Sequence, residues 1–422
     1  MRGTPPPDSP RGPGRADPAA RSSRPQPRRT PALAGLRPRL GALFQRALRR
    51  TVEAPLTFGN AATLLVDGPA AFPAMLETIA GARRRVVFEN YIIRDDDVGR
   101  RFAGALAERA RSGVEVFVLY DWLGCIRTGH AYWSELRRAG CHVHCFAPPS
   151  LRHPFRVLRR DHRKLVLADA RVAIVGGLCI GNEWDDVGNG PPWRDTAVLV
   201  EGPIAQELDR SFARVWKRGG GRAIPPLSPS QHGAPGTVPA RVVDGPPAAA
   251  RAYRLYQLIA ALAERSIYIS GAYPLAPAPL RHALVSAARA GVDVRLLAPG
   301  RSDIPIVNQA ARARYGPLLR AGVRIYEWNG PMLHAKTVVA DGTWALVGSS
   351  NLNPFSLLGS HELDVEIQDP GIARQLERQF LADLENATEI TLDAWRHRPR
   401  GQRIREHLAA ALLWFPHRLY SG

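Results

Sequence analysis

The 422-residue sequence predicts an α/β protein of two similar domains, each a mostly parallel or mixed sheet flanked by helices. Three observations carry that expectation. Short apolar strand runs alternate with helical stretches, as in chains of βα units. A helix-to-strand junction recurs with the same spacing, residues 106–113 leading into 114–119 and residues 284–291 into 292–297. A His-x-Lys-x4-Asp pattern occurs once in each half, at His162-Arg163-Lys164…Asp169 and His334-Ala335-Lys336…Asp341.

The elements follow in order. Residues 1–35 are rich in Arg, Pro and Gly, with few large apolar side chains, and read as a disordered tail. Residues 36–50 form a basic amphipathic segment. Leu36, Leu40, Leu43, Phe44, Ala47 and Leu48 share one helical face, and Arg37, Arg39, Arg46, Arg49 and Arg50 surround it. Such a helix suits a membrane interface or the protein's own core, and both readings stand. Residues 51–218 are the first domain, 219–247 a Gly- and Pro-rich linker and 248–390 the second domain. Strands at 85–89 and 266–270 open the two copies, and Leu136…Gly140 is echoed by Leu319…Gly322. From those glycines to the motif histidines is 22 residues in the first half and 12 in the second. The excess lies in a basic loop, 148–160, carrying Arg152, Arg156, Arg159 and Arg160. Residues 391–422 form a basic and apolar C-terminal segment, suited either to a last core helix or to a second interfacial anchor.

Composition narrows the partners. Net charge is +19, and residues 1–50 hold 12 Arg against Asp8 and Asp17. That balance points to phosphate-rich partners, either nucleic acid or anionic lipid. No apolar run reaches the ~18 residues of a membrane span, and no signal peptide is read at the start. Cys125, Cys141, Cys145 and Cys179 read as free thiols of a reducing compartment. Cys141, His142, His144 and Cys145 alternate as a strand does, so no metal site is expected.

The doubled motif is far from chance. Composition gives roughly 0.004 copies of His-x-Lys-x4-Asp per chain. Of 57 basic residues only Lys164, Lys217 and Lys336 are lysine, and two of those sit in the motifs. Where Arg serves elsewhere, a retained Lys implies a need for a compact ammonium. Small residues follow each copy, Gly176-Gly177 in one and Gly348-Ser349-Ser350-Asn351 in the other. They suit a backbone that approaches an anion closely.

These motifs resemble the phospholipase D superfamily. With Asp96-Asp97-Val98-Gly99, residues 168–184, Trp193-Arg194-Asp195 and residues 348–357, the likeness extends over residues 60–415 to bacterial cardiolipin synthases that lack amino-terminal spans. The resemblance implies two phospholipase D-like domains related by a pseudo-two-fold axis, with both motifs meeting at the interface. His and Lys two apart on a strand share a face, so two copies would supply two imidazoles and two ammoniums to one phosphodiester. That set suits a two-step exchange through a phosphohistidine without cofactor or metal. By analogy His162 is the nucleophile and His334 the general acid/base, with the reverse also open. Lys164, Lys336, Asp169 and Asp341 complete the catalytic set, the aspartates as structural or orienting groups. Gly176, Gly177, Ser349, Asn351, Glu89 and Glu362 are the substrate-side candidates, the two glutamates as histidine-orienting acids. Cys179 stands where the family usually has Asn. Trp193, Arg194 and Asp195 are either headgroup contacts or a salt-bridged loop.

The implied activity is phosphatidyl transfer, two phosphatidylglycerols giving cardiolipin and glycerol. The competing readings are a lipid hydrolase, a superfamily nuclease and a non-catalytic membrane or nucleic-acid binding module. The apolar faces favour an anionic membrane surface over nucleic acid. The expected place is the cytoplasmic face of a bacterial cell membrane, held peripherally, with no oligomer required because one chain carries both motifs.

Overall fold

A computed structural model describes residues 37–151, 159–187, 190–227, 233–246 and 249–414. The expected disordered tail, Arg152 and Arg156 lie outside the described residues. The chain divides into two units, residues 1–46 and 47–422, and helix α1 (Arg37–Val52) spans the boundary. In the larger unit Leu48 and Val52 are fully buried. Leu48, expected on the apolar face of an interfacial helix, therefore belongs to the protein core.

The first half runs β1 (Thr57–Val66), α2 (Asp67–Ala80), β2 (Arg85–Asn90), α3 (Asp97–Arg111), β3 (Glu115–Asp121), α4 (His130–Arg138) and β4 (His142–Phe146). It continues with β5 (Arg160–Asp161), β6 (Leu165–Ala168), β7 (Val172–Gly176), β8 (Thr196–Glu201) and α5 (Pro203–Gly219). The second half repeats the plan. It holds β9 (Val238–Gly245), α6 (Arg251–Leu262), β10 (Ser266–Gly271), α7 (Ala278–Arg289), β11 (Asp293–Pro299), α8 (Pro305–Arg312), α9 (Tyr315–Arg320) and β12 (Arg324–Trp328). Then come β13 (Lys336–Ala340), β14 (Trp344–Gly348), α10 (Pro354–Gly359), β15 (Ser360–Ile367), α11 (Pro370–Glu385), β16 (Ala387–Ile390), α12 (Leu392–His397) and α13 (Arg400–Trp414).

Strand order exposes the duplication. From the middle outward the first half reads β1-β8-β7-β6-β2-β3-β4 and the second β9-β15-β14-β13-β10-β11-β12, with β16 added at the edge. The two series join through the antiparallel pair β1–β9, so a pseudo-two-fold axis passes between these strands. Within each half β2–β3–β4 and β10–β11–β12 pair in parallel and the remaining main-series pairs run antiparallel. Strands such as Leu165–Ala168 and Trp344–Gly348 are buried at every residue, which is why they read as continuous apolar runs without alternation. Gly113 and Gly291, just beyond the ends of α3 and α7, have φ of 87° and 95°. The matched glycines release both helices into the next strand through a left-handed turn.

One expectation is corrected here. Residues 219–247 are not all linker, because β9 lies inside that range. It pairs with both β1 and β15 and buries Ala240, Val242 and Val243. Pro and Gly density masked a strand whose Val242-Val243 pair is the apolar signal. One core draws on both halves, including Val175, Val198, Val242, Ala345, Val347 and Val365. The halves share a sheet and a core, which brings the ends of β7, β8, β14 and β15 together.

Candidate active site

Each motif begins where the chain enters a buried strand. His162 lies between β5 and β6, and His334 just before β13. Both are pinned by the other half. The N–H of His162 donates to the carbonyl of His361 at 2.9 Å, and that of His334 to the carbonyl of Arg194 at 2.7 Å. The next residue in each case supplies an acid. Glu362 Oε2 lies 3.0 Å from His162 Nδ1, and Asp195 Oδ2 lies 2.6 Å from His334 Nδ1. These acids occupy equivalent places: Gly176 pairs with Ala197 and Gly348 with Asp364, and each acid precedes that partner by two residues. The orientation is thus exchanged across the axis, with each half's imidazole held by the other half's carboxyl.

Lys164 and Lys336 are almost fully buried, and each Nζ donates to the carbonyl of its own motif histidine. Lys164 also faces the Tyr91 ring at 5.2 Å. A cavity of about 610 Å³ takes in His162, His334, Glu362, Cys179 and Asn351, along with Tyr91, Trp184, Trp193 and Tyr273. The ring of Tyr91 packs edge-on to His162 at 4.8 Å, and Trp184 does the same to His334 at 5.5 Å.

The electrostatics of the two pairs differ. Burial, helped by Lys164 and Lys336, holds His162 well below the usual imidazole range. Burial and Lys336 bring His334 down to about 4, against the pull of Asp195. Burial raises Glu362 to about 8, opposed by Lys164 and by Ser349 and Ser356. Asp195 is buried too, yet Lys336 and His334 more than offset that cost and hold it below the ordinary carboxylate range. Burial lowers Lys336 to about 8.

Several expected site residues do other work. Asp169 accepts the backbone N–H groups of Arg83, Arg84 and Arg85 at 2.8–2.9 Å. Asp341 accepts those of Glu264, Arg265 and Ser266 at 2.7–3.0 Å. Both sit at the far end of the strand from the histidine, where they fasten the turn that enters β2 or β10. Neither lines the cavity. Glu89 does not orient a histidine: it pairs with Arg163 at 3.1 Å. Ser349 gives its hydroxyl to Glu362 at 2.6 Å and is not among the residues that line the cavity. Gly176 and Gly177 serve packing. A Cβ on Gly177 would lie 2.1 Å from Asp195 Oδ1, and one on Gly176 would lie 2.6 Å from Ala197. The missing side chain makes room for the acid that holds His334. Arg194 is a salt-bridged residue, bound to Asp383 at 2.9 Å and Asp67 at 3.3 Å.

Asn351 lines the cavity, and its buried Oδ1 accepts no hydrogen bond. Cys179, also on the lining, is buried at the matching position of the first half. Asp195, expected as a headgroup contact or a member of a salt-bridged loop, instead holds His334, a role its sequence neighbourhood does not signal. Trp193, expected in the same two roles, lines the cavity, and Tyr91, Trp184 and Tyr273 join it from other segments with no local pattern to unite them.

Comparison with known proteins agrees with this architecture. The family model described as "Cardiolipin synthase, PLD-like domain" matches residues 75–216 and 256–384. Cardiolipin synthase A of Pseudomonas aeruginosa is 35% identical over 365 residues, covering 85% of this chain and 74% of that protein. Cardiolipin synthase of Geobacillus kaustophilus is 33% identical over 374 residues, covering 86% and 74%. The crystal structure of phosphatidylserine synthase from Haemophilus influenzae shares the fold with a TM-score of 0.68 at 14% identity, over 89% of this chain and 97% of that one. The chain belongs to the cardiolipin synthase family of PLD-like proteins.

Proposed function

We propose that this chain transfers a phosphatidyl group between lipid alcohols, making cardiolipin and glycerol from two molecules of phosphatidylglycerol. The observation that carries the reading is the pair of exchanged His–carboxyl contacts, with both histidines on one cavity and a buried lysine bound to the backbone of each. A carboxylate accepts at Nδ1 and leaves Nε2 with its lone pair toward the reacting phosphorus.

His162 attacks phosphorus through Nε2, and the bond to the glycerol oxygen breaks. His334 gives that oxygen its proton and glycerol leaves. The phosphatidyl group is then held on His162. The second phosphatidylglycerol loses its hydroxyl proton to His334, its oxygen attacks phosphorus, and His162 is restored as cardiolipin departs. Lys164 and Lys336 neutralise the non-bridging oxygens, and Asn351 lies at the same pocket. The electrostatics bear on both roles. A nucleophile must be neutral, and burial with two lysines favours neutral His162. Burial and Lys336 also favour neutral His334, which suits it as the base for the incoming hydroxyl. Asp195, held ionised, is the group that opposes them and supports the imidazolium that His334 needs as an acid.

The mouth of the cavity supports a lipid substrate. Leu123 and Ile126 from the loop after β3, and Ile304 from the loop after β11, are 45%, 58% and 43% exposed. These loops correspond across the axis. Arg94, Arg127 and Arg160 stand beside them and suit phosphate headgroups. Among the described residues no helix is long and apolar enough to cross a membrane. The exposed apolar residues and arginines at the cavity mouth suit a protein held peripherally at the lipid surface. The free cysteines fit the reducing, cytoplasmic side.

The test is incubation of purified protein with phosphatidylglycerol vesicles, followed by separation of products. Cardiolipin and glycerol in equal amounts are expected, with activity retained in chelator because the cationic groups belong to the protein. Phosphatidic acid without cardiolipin would make the protein a hydrolase. Cleavage of nucleic acid with intact lipid would make it a nuclease.

A further inference from the structure

Helix α13 packs against α8, and its residues face the wrong way for a core helix. On the side toward the body lie Glu406, 1% exposed, and Ala409, 4% exposed. Glu406 is held by Arg398 at 2.8 Å, by Gln402 at 2.9 Å and by Arg312 at 3.8 Å. Three large apolar residues point outward instead. Ile404, Leu408 and Leu412 are 60%, 59% and 64% exposed. With about 3.6 residues per turn they form one continuous stripe, widened by Gly401 and Ala411. Charged and polar side chains border it, exposed Arg405 on one edge and exposed Arg400, Arg403 and His407 on the other.

A helix fastened through a buried carboxylate, with an apolar stripe turned to the outside and arginines along both edges, has the layout of an interfacial membrane helix. The apolar stripe enters the acyl boundary while the arginines remain at the phosphate level. The partner on which α13 packs strengthens the assignment. Helix α8 starts directly after Ile304, which lines the cavity mouth, and Ile306 in its first turn is 38% exposed.

We propose that the outer face of α13 docks this protein on an anionic phospholipid surface, with Ile404, Leu408 and Leu412 inserted and Arg400, Arg403 and Arg405 at the headgroups. The proposal rests on the lipid-transfer reading above and adds to it the element that holds the protein at the surface.

The experiment compares the full chain with an Ile404→Gln/Leu408→Gln/Leu412→Gln variant. Glutamine keeps helix propensity and removes no buried side chain, so the fold is expected to survive, as matched circular dichroism would show. Binding to phosphatidylglycerol vesicles is measured by co-sedimentation, beside turnover of a soluble activated phosphodiester. Loss of vesicle affinity by about 10-fold or more, with soluble turnover unchanged, is the expected result. Equal vesicle binding by the two proteins, or none by either, would overturn the proposal. So would a wild-type dimer that the substitutions dissociate without changing vesicle binding, because the stripe would then be covered by a second copy. If the variant loses binding but neither protein makes cardiolipin, docking stands and the transferase reading fails.

Discussion

At the scale of single residues, the site rests on two hydrogen bonds that cross the molecular axis. Each sets a tautomer as well as an orientation, so Asp195→Asn and Glu362→Gln should each lower turnover by about 100-fold or more. The pairing gives a sharper test. Combining His162→Ala with Glu362→Gln should cost little beyond His162→Ala alone, since both changes break one contact. Near-additive losses in that cycle would mean that Glu362 acts elsewhere. The pH dependence follows from the same groups. Glu362, raised to about 8 by burial, carries a proton below that pH and accepts the Nδ1 proton of His162 only as it ionises. Lys336, lowered to about 8 by burial, loses its positive charge above that pH. The kcat/KM profile should therefore rise and then fall about a centre near 8. The Glu362→Gln variant should lose the rising limb, and a rise that persists in that variant would assign the limb to another group. Much at this scale was legible in the sequence. His162, Lys164, His334 and Lys336 announce themselves because two copies match in type and spacing. Asp195 does not, because its partner lies 139 residues away and on the other half of the fold.

At the scale of elements, the aspartates of the two motifs carry a lesson about spacing. Asp169 and Asp341 follow the same signature as the histidines, yet a buried strand separates each from the reacting groups. A strand rises about 3.3 Å per residue, so the seven-position step from His162 to Asp169 puts the aspartate well outside contact. Each instead caps three backbone N–H groups, and both adopt positive φ, 56° and 54°. Asp169→Ala removes the carboxylate that accepts all three hydrogen bonds and places Ala in a left-handed turn. It should lower stability by about 1–3 kcal/mol while leaving kcat/KM of the folded protein near wild type. Denaturant titration beside steady-state kinetics would check both parts. A large loss of kcat at unchanged stability would return Asp169 to the catalytic set. Strand β9 shows the opposite failure of reading. Its Val-Pro-Ala-Arg-Val-Val segment was hidden by surrounding Gly and Pro, because local composition does not show which strands a segment will pair with.

At the scale of the whole molecule, two halves that look like separate domains are not built as separable ones. The β1–β9 pair makes their sheets continuous, and one apolar core takes side chains from both. The backbone of His162 is tied to His361, and that of His334 to Arg194, so each motif loop is completed by the opposite half. A half on its own would expose the apolar face it now buries and would lack the acid that orients its histidine. Burial of this extent couples the stabilities of the halves, since neither can unfold without uncovering the other's core. The unit 47–422 should therefore unfold in a single calorimetric transition, with calorimetric and van't Hoff enthalpies in agreement. Destabilisation at Asp169 in the first half should lower the same transition as the equivalent change at Asp341 in the second. Two resolved transitions, each moved by only one of the substitutions, would show that the halves are independent. The exchanged His–acid pairs would then need another source of rigidity.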